Sequence, residues 1–375
     1  MATTNEIEPT QSALATSTLF PSITGKIADI KEYLQEIGET RRQFAVTGTV
    51  KLHGTHADIL VDQDWNITFQ SRNRPSLTTE HDNLGFAAHM SKDPLCIQDL
   101  KRRFLVRYYQ IKEASDPTLQ CPASGPAPPY PSVLIAGEWI GKGVQKRIAL
   151  EHLTTRYFVI FSVCIGGVWQ RERDYADIDY PEIGIYNISR GGFFNAVLDL
   201  DDLDASMTQL VEISNAVDAE CPFAKSFGIT GIGEGIVWKF DHAPQDVRLW
   251  LKTKAPNFWA ARRPLPAAVK QAARDREMNE VEFKAAEFAE RVAHELRMEQ
   301  GLEYLREQKM PQTLKSANDF ANWVLSDVEK EESREMREEE LDVKLVGKHV
   351  RKLAFAWYRE ELGVKHGDGD SAIGD

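Results

Sequence analysis

A change in hydrophobic pattern near residue 262 limits the fold of this chain more than any other feature. Before this point, short runs rich in Val, Ile, Phe and Trp are bounded by Gly, Asp, Asn or Pro, as strands are. After it, apolar residues recur at helical spacing among dense charges. A chain of 375 residues with this division predicts two domains, the first mixed and the second all-helical.

The mixed part contains the predicted strands and three predicted helices. The strand-like runs are 44–52, 57–71 as a strand pair, 132–140, 157–165, 234–240 and 247–253, and the helical runs are 26–37, 94–113 and 203–219. Residues 114–132 are rich in Pro, Ser and Ala and are predicted to form a surface loop. The predicted organisation is a flexible N-terminus at 1–20, a first domain at 21–262, a helical domain at 263–365 and a flexible tail at 366–375.

Composition excludes several classes of protein. The hydrophobic fraction of 42% and the charged fraction of 27% are those of an ordinary globular protein. The formal net charge of −12 argues against a non-specific nucleic-acid coat, but an enzyme acting on nucleic acid needs only a local basic channel. The four scattered cysteines predict free thiols. Without a signal peptide or an apolar run long enough to span a membrane, the chain is expected to be intracellular.

The first block that suggests chemistry is Lys51-Leu52-His53-Gly54-Thr55. A lysine at the end of a strand, followed by a glycine turn, can lie at the mouth of a cleft. Its amine attacks phosphorus only when it is uncharged, so neighbouring cations or burial must favour the neutral form. Taken alone, a surface lysine beside a hairpin explains the same pattern.

Further blocks add charged groups at the ends of other strands. Ser71-Arg72-Asn73-Arg74-Pro75 follows the strand pair, and an arginine there could bind phosphate. Glu138 interrupts an otherwise apolar strand, which is costly unless the carboxylate binds a hydroxyl, a metal or a cation. Glu234 and Lys239 stand at the two ends of another apolar strand. Lys252 and Lys254 share one strand face and repel each other unless an anion lies between them.

In this order, the blocks KLHGTH, SRNRP, AGEWIGKGVQK, YFVIFSV, EGIVWK and LWLKTK resemble the six motifs of the covalent nucleotidyltransferase superfamily. The first and third blocks resemble specifically the nick-sealing ATP-dependent RNA ligases of phage RNA ligase 2 type. The resemblance spans roughly residues 45–260. It implies an α+β fold with ATP-grasp-like antiparallel sheets flanked by helices, followed by the all-α domain.

The resemblance also implies a role for each matching residue. Lys51 would form a lysyl-AMP, His53 would assist as pyrophosphate leaves, and Phe161 would stack on adenine. The implied nucleotide-binding residues are Lys51, Gly54, Thr55, Arg72, Glu138, Phe161, Lys239, Lys252 and Lys254. The implied catalytic residues are Lys51, His53, Glu234, Lys252 and Lys254, and Glu138 and Glu234 are the candidates for binding Mg²⁺ or Mn²⁺.

The implied reaction joins RNA ends in three steps. Lys51 takes AMP from ATP, AMP passes to a 5′-phosphate, and a 3′-hydroxyl then attacks the activated phosphate and releases AMP. The expected RNA contacts are Arg74, Lys142, Lys146, Lys348 and Arg351. We expect a monomer whose partner is RNA with 5′-phosphate and 3′-hydroxyl ends.

Three positions depart from the family pattern, and two other functions compete with RNA ligation. His56 stands where the family often has Asn, Val50 where an acidic residue is common, and Ser162 where Asp is common. The first alternative is a DNA ligase or a capping nucleotidyltransferase, which would continue into a β-barrel after the sixth block. The second is a catalytically idle protein that binds RNA ends or nucleotide.

Overall fold

The computed structural model describes residues 20–116, 130–144, 148–254, 271 and 279–363. It divides into two compact units, one holding the described residues up to Lys254 and the other those from Asn279. The predicted domain boundary, most of the predicted proline-rich loop and nearly all of the predicted flexible termini lie outside the described residues. Each unit has its own hydrophobic core.

The first unit contains an antiparallel four-stranded sheet, sheet A. Its strands, in spatial order, are β10 (Trp250–Lys254), β9 (Gly235–Phe240), β1 (Gln43–Lys51) and β8 (Phe194–Asp199). Side chains alternate across a strand, so Val46 and Val50 of β1 face the core while Thr49 and Lys51 face the other side. Helices α1 (Ile27–Glu36) and α4 (Leu203–Ala219) belong to that same core.

A second sheet, sheet B, completes this unit. Its strands are β3 (Ile67–Ser71), β2 (Thr55–Val61), β4 (Val133–Gly141), β5 (Arg156–Ile165) and β6 (Val168–Trp169), with β7 (Ile185–Asn187) beside β5. The first unit also contains, among its described residues, helices α2 (Phe86–Met90), α3 (Pro94–Ser115) and α5 (Pro222–Lys225). Helices α2 and α3 share a core with sheet B. Pairing is antiparallel as predicted, except that β7 runs parallel to β5.

The second unit consists of helices joined by short turns in its described residues from 279 to 363, as the pattern predicts. Its helices are α6 (Glu280–Val292), α7 (Glu295–Glu307), α8 (Ala317–Glu338) and α9 (Val343–Glu361). Asn279 and Asp342 cap α6 and α9 by accepting hydrogen bonds from backbone N–H groups of the first turn. Phe320 stacks on Trp357 and Tyr358 in the core between α8 and α9.

A buried arginine joins three segments of the helical unit. The guanidinium of Arg297 donates to Asp327 Oδ2 at 2.8 Å, to Glu332 Oε1 at 2.9 Å and to the carbonyl of Val292. Arg297 and Asp327 are both buried, at 5% and 8% exposure. Removing one member of such a pair leaves an uncompensated charge in a poorly solvated place.

We therefore expect Arg297→Ala to lower the free energy of unfolding of the helical unit by about 3–5 kcal/mol. Arg334→Ala is the matched control, because Arg334 forms an ion pair with Glu338 whose side chain is 53% exposed, and such pairs contribute about 0–1 kcal/mol. Urea unfolding followed by circular dichroism measures both variants. Equal losses in the two variants would contradict the prediction.

Two further predictions concern thiols and membranes. Cys96, Cys164 and Cys221 are free thiols, and Cys121 lies outside the described residues. In the part of the chain that the structure describes, none of the helices combines the length and the apolar character needed to cross a bilayer.

Candidate active site

The register of sheet A brings three chain-distant positions to one end of the sheet. Lys51, the last residue of β1, lies opposite Gly235, the first residue of β9, and Lys254 at the end of β10 lies opposite the same glycine. Glu234 immediately precedes that glycine. The two lysines therefore flank the point at which the glutamate enters the sheet.

Gly235 allows this close approach. Its φ of +150° is unfavourable for a side chain, and a Cβ atom there would lie 2.0 Å from the carbonyl oxygen of Thr253. Glu234 can therefore sit tightly against β10. We expect substitution of Gly235 to displace the carboxylate of Glu234.

Glu234 is the centre of a cluster of positive groups. Its Oε2 lies 2.8 Å from Lys51 Nζ and 3.4 Å from His53 Nδ1, and its Oε1 lies 3.2 Å from Lys254 Nζ. The glutamate is 2% exposed. Burial raises the pKa of Glu234, but Lys51, Lys254 and His53 outweigh this effect and hold it well below its ordinary value. The carboxylate is therefore ionised at neutral pH.

This arrangement differs from the expectation that neighbouring cations or burial would favour the neutral form of the Lys51 amine. A buried carboxylate stands between Lys51 and Lys254, and the 2.8 Å contact is an ion pair with the Lys51 ammonium. Lys51 is still partly sheltered, with 25% of its side chain exposed. Nucleophilic attack by this amine therefore requires the pair to open and the ammonium to lose a proton.

A second carboxylate, Glu138 of β4, faces the same cleft. Its Oε1 accepts a hydrogen bond from the backbone N–H of Gly54 at 2.8 Å. A Cβ at Gly54 would lie 2.4 Å from the carbonyl oxygen of Trp139, so only glycine allows this turn to approach β4. Burial raises the pKa of Glu138 above its ordinary value, although Lys51 and His56 act in the opposite direction.

His56 is cross-strand to Glu138 and is held by an aspartate that the sequence analysis missed. His56 Nε2 lies 2.9 Å from Oδ2 of Asp58, which is completely buried. Burial lowers the pKa of His56, but Asp58 and then Glu138 outweigh burial and the nearby Arg72, so the pKa is raised. A charged residue alternating with His56 in a strand was the signal that could have revealed Asp58.

Phe161 lies in a cluster of rings rather than on an open face. Its ring centroid is 5.0 Å from that of Phe20 and 6.0 Å from that of His56. Phe20 also contacts Trp169 and Trp250, at 5.4 and 5.8 Å. The register of β4 and β5 shifts beside Phe161, and Tyr157, Val159 and Phe161 all lie on the side of β5 that packs in the core shared with sheet A.

Lys239, an expected phosphate ligand, forms a buried ion pair in this structure. Its ammonium contacts Glu172, lies 2.7 Å from Ser162 Oγ, and sits 3.4 Å from the centroid of the Trp250 ring. Burial lowers the pKa of Lys239, although Glu172 opposes this. Glu172 lies in a short 3-10 helix, Glu172–Tyr175, in a highly charged stretch where no sequence signal distinguished it.

This ion pair links β9 of sheet A to the 3-10 helix Glu172–Tyr175, which follows β6 of sheet B. The contact between Lys239 and Ser162 adds a link to β5. We expect Lys239→Met and Glu172→Met each to lower the free energy of unfolding by about 3–5 kcal/mol, because each leaves one buried charge without its partner. The double variant should be more stable than either single variant, since an apolar pair replaces the ion pair. Chemical denaturation of the three proteins measures these free energies. A double variant whose loss equals the sum of the two single losses would contradict the prediction.

The remaining predicted site residues differ in their surroundings. Thr55 is buried and its hydroxyl accepts from Asn83 Nδ2 at 2.8 Å. Arg74 is half-buried in the turn after β3, Lys142 is exposed in the turn after β4, and Lys252 shares the face of Lys254. Lys146 lies outside the described residues. In the helical unit, Lys348 pairs with Glu282 at 2.9 Å and Arg351 contacts Asn322.

The two candidate metal-binding carboxylates can supply part of a coordination sphere. Among the described residues, no group of three or more His, Cys, Asp or Glu side chains is arranged to hold a metal ion. Mg²⁺ is commonly held by one or two carboxylates together with substrate phosphates and water. Glu138 and Glu234 remain the two carboxylates predicted for this role.

No family model and no curated protein sequence matches the chain. Among solved structures, it is similar to a lysine-to-methionine variant of Naegleria gruberi RNA ligase with AMP and Mn, at 17% identity and a TM-score of 0.40. That alignment covers 66% of this chain and 60% of the other. A glutamate-to-alanine variant of the same ligase with AMP and Mn gives 17% identity, the same coverage and a TM-score of 0.41.

The same ligase with pyrophosphate is similar at 15% identity, covering 66% of this chain and 59% of that one, with a TM-score of 0.37. The chain therefore spans about three-fifths of the length of these ligases. The α+β fold with antiparallel sheets and a helical C-terminal region is confirmed.

Proposed function

We propose that this chain is an ATP-dependent RNA ligase that joins 5′-phosphate and 3′-hydroxyl ends through a lysyl-AMP at Lys51. The observation that carries the proposal is the cluster in which Glu234 contacts Lys51, Lys254 and His53. A strand-end lysine, a second lysine and a histidine converge on one buried anion. A nucleotide phosphate that binds there would be stabilised by these positive groups.

The first step is transfer of AMP to Lys51. The ion pair with Glu234 opens, Lys51 Nζ loses a proton and forms a bond to the α-phosphorus, and the bond from that phosphorus to the bridging oxygen of pyrophosphate breaks. Lys254 and Lys252, on one face of β10, are proposed to neutralise the phosphate charge. His53, 3.4 Å from Glu234, is proposed to assist the departing pyrophosphate.

The rest of the nucleotide would be held by sheet B. Glu138 lies beside Gly54 at the turn that follows Lys51 and is proposed to bind the ribose hydroxyls. Phe161 is proposed to stack on adenine, and Arg72 to bind phosphate. When bound with the nucleotide, Mg²⁺ or Mn²⁺ supplies charge neutralisation at the phosphates.

In the later steps, AMP moves from Lys51 to the oxygen of a 5′-phosphate, and a 3′-hydroxyl then forms the phosphodiester bond as AMP leaves. Arg74 and Lys142 lie in turns of the first unit and remain proposed RNA contacts. Lys348 and Arg351 already contact acidic or amide side chains of their own unit, so they support the proposal less well.

Two observations favour this proposal over its alternatives. A capping enzyme or DNA ligase would continue into a β-barrel, whereas the residues described from 279 to 363 are helices and turns. A catalytically idle binder would have no need of a lysine beside Glu234, yet Lys51, Glu234 and Lys254 are all present and in contact.

The test is covalent labelling followed by ligation. Purified full-length protein with α-labelled ATP and Mg²⁺ or Mn²⁺ should yield a labelled band that survives denaturing electrophoresis. Nicked RNA, nicked DNA and single-stranded RNA, each with a 5′-phosphate and a 3′-hydroxyl, would then identify the substrate. A protein that stays unlabelled with all nucleotides and metals tried would support the idle binder instead.

A further inference from the structure

Phe20 occupies the centre of the ring cluster beside Phe161. Its ring is half-buried and contacts rings from four strands of the first unit, β2, β5, β6 and β10. The centroid distances are 5.1 Å to His56, 5.0 Å to Phe161, 5.4 Å to Trp169 and 5.8 Å to Trp250. Such spacings are those of rings in direct contact. A single aromatic side chain therefore fills the space that these four rings enclose.

This packing leaves no room for a base beside Phe20 on Phe161. A planar base sandwiched between two rings needs about 7 Å between them, twice the usual carbon–carbon contact of about 3.5 Å. Phe20 and Phe161 are 5.0 Å apart and lie at 68° to each other. A nucleotide that stacks its base on Phe161 on the side that faces Phe20 must therefore displace Phe20 from that contact.

The segment that carries Phe20 is tied to the edge of sheet A that bears the candidate phosphate ligands. Thr24 forms a parallel bridge with Leu251, and its carbonyl accepts a hydrogen bond from the backbone N–H of Lys252 at 2.8 Å. Phe20 lies four residues before this anchor. Its ring can leave the cluster by rotation of the short intervening segment while α1 and β10 stay in place.

We infer that the ring of Phe20 occupies the base-binding position in the nucleotide-free protein and is displaced when a nucleotide binds. This inference rests on the proposed function and adds a residue outside all six sequence blocks. Since the aromatic face of a base is equivalent to that of phenylalanine in stacking, the same surrounding rings accommodate either one. Phe20 thus lowers the apparent affinity for nucleotides by occupying their site.

The experiment compares two ligands that differ in possessing a base. AMP carries the base but has no pyrophosphate leaving group, so it binds without charging Lys51, and inorganic pyrophosphate has no base. In calorimetry on the full-length protein, Phe20→Ala should bind AMP about five- to tenfold more tightly than the wild type, because the free protein no longer blocks its own site. The affinity for pyrophosphate should be unchanged.

Two further variants make the result specific. Phe20→Trp retains a ring and should show no gain in AMP affinity, and Phe283→Ala removes an exposed ring of the helical unit and should match the wild type. Should Phe20→Ala fold poorly, Phe20→Leu replaces it with the same expectation of tighter AMP binding.

Unchanged or weaker AMP binding in Phe20→Ala and Phe20→Leu would overturn the inference, and weaker binding would make Phe20 part of the pocket wall. An equal gain for AMP and pyrophosphate would also overturn it, since the segment would then be blocking the whole cleft. Failure of the wild type to be labelled by ATP would instead refute the proposed function, and this inference with it.

Discussion

Lys51→Ala is expected to leave the protein unlabelled by α-labelled ATP under conditions in which the wild type forms a denaturation-stable adduct. Lys51 would supply the atom that bonds to phosphorus, so its removal deletes the covalent step and does not merely slow it. The expected loss is at least about 10⁴-fold, as for other essential nucleophiles. The measurement is the rate of radiolabel incorporation per mole of protein.

Lys51→Arg is the matched variant. Arginine can keep an ion pair with Glu234, but it stays protonated in proteins and cannot attack phosphorus. It should therefore retain the wild-type stability yet remain unlabelled. Labelling of either variant at a normal rate, or mapping of the adduct to another lysine, would refute Lys51 as the nucleophile.

Lys254→Ala is expected to reduce the rate of labelling by about 10²–10³-fold, the usual cost of removing one group that stabilises developing charge. The structure offers two reasons for this loss. Lys254 lies 3.2 Å from Glu234 and is aimed at the same end of the cleft as Lys51. Without it, Glu234 would keep only Lys51 and His53 as partners and would hold the Lys51 ammonium more firmly. Initial rates of labelling over a range of ATP concentrations measure the effect.

Lys252→Ala should fall in the same range, because Lys252 shares the strand face of Lys254. Lys225→Ala is the control, because its side chain is 64% exposed and forms an ion pair with Glu220 and not with Glu234. Charging at a near-normal rate in both β10 variants would mean that the phosphate binds elsewhere. A matching loss in Lys225→Ala would point to general damage to the fold.

Much of the architecture could be predicted because the signals are local. The runs 94–113 and 203–219 are helices with bounds close to those predicted, and each predicted strand is present within a few residues. Alternation and helical spacing depend only on near neighbours in sequence, so they can be read without the fold. The parallel pairing of β7 with β5 was missed, because three residues carry too little pattern.

The candidate site was predictable to the extent that it consists of strand ends. Lys51, Glu234 and Lys254 each end or precede a strand that the pattern had already located, and they meet in the structure. This reasoning did not predict the partner of Lys239. Its block suggested a phosphate ligand, but its ammonium contacts Glu172, a residue 67 positions earlier with no distinguishing pattern.

By itself, the amino-acid sequence determined the order of strands and helices, the all-helical second part and the candidate nucleophile, because spacing and residue type express these properties locally. Only the tertiary structure decided that Lys51 and Lys254 share one carboxylate, that Lys239 pairs with Glu172, and that Phe20 fills the ring cluster. Those contacts depend on strand register and on packing between distant segments, and a buried charge or ring takes whichever partner the fold brings within a few ångströms.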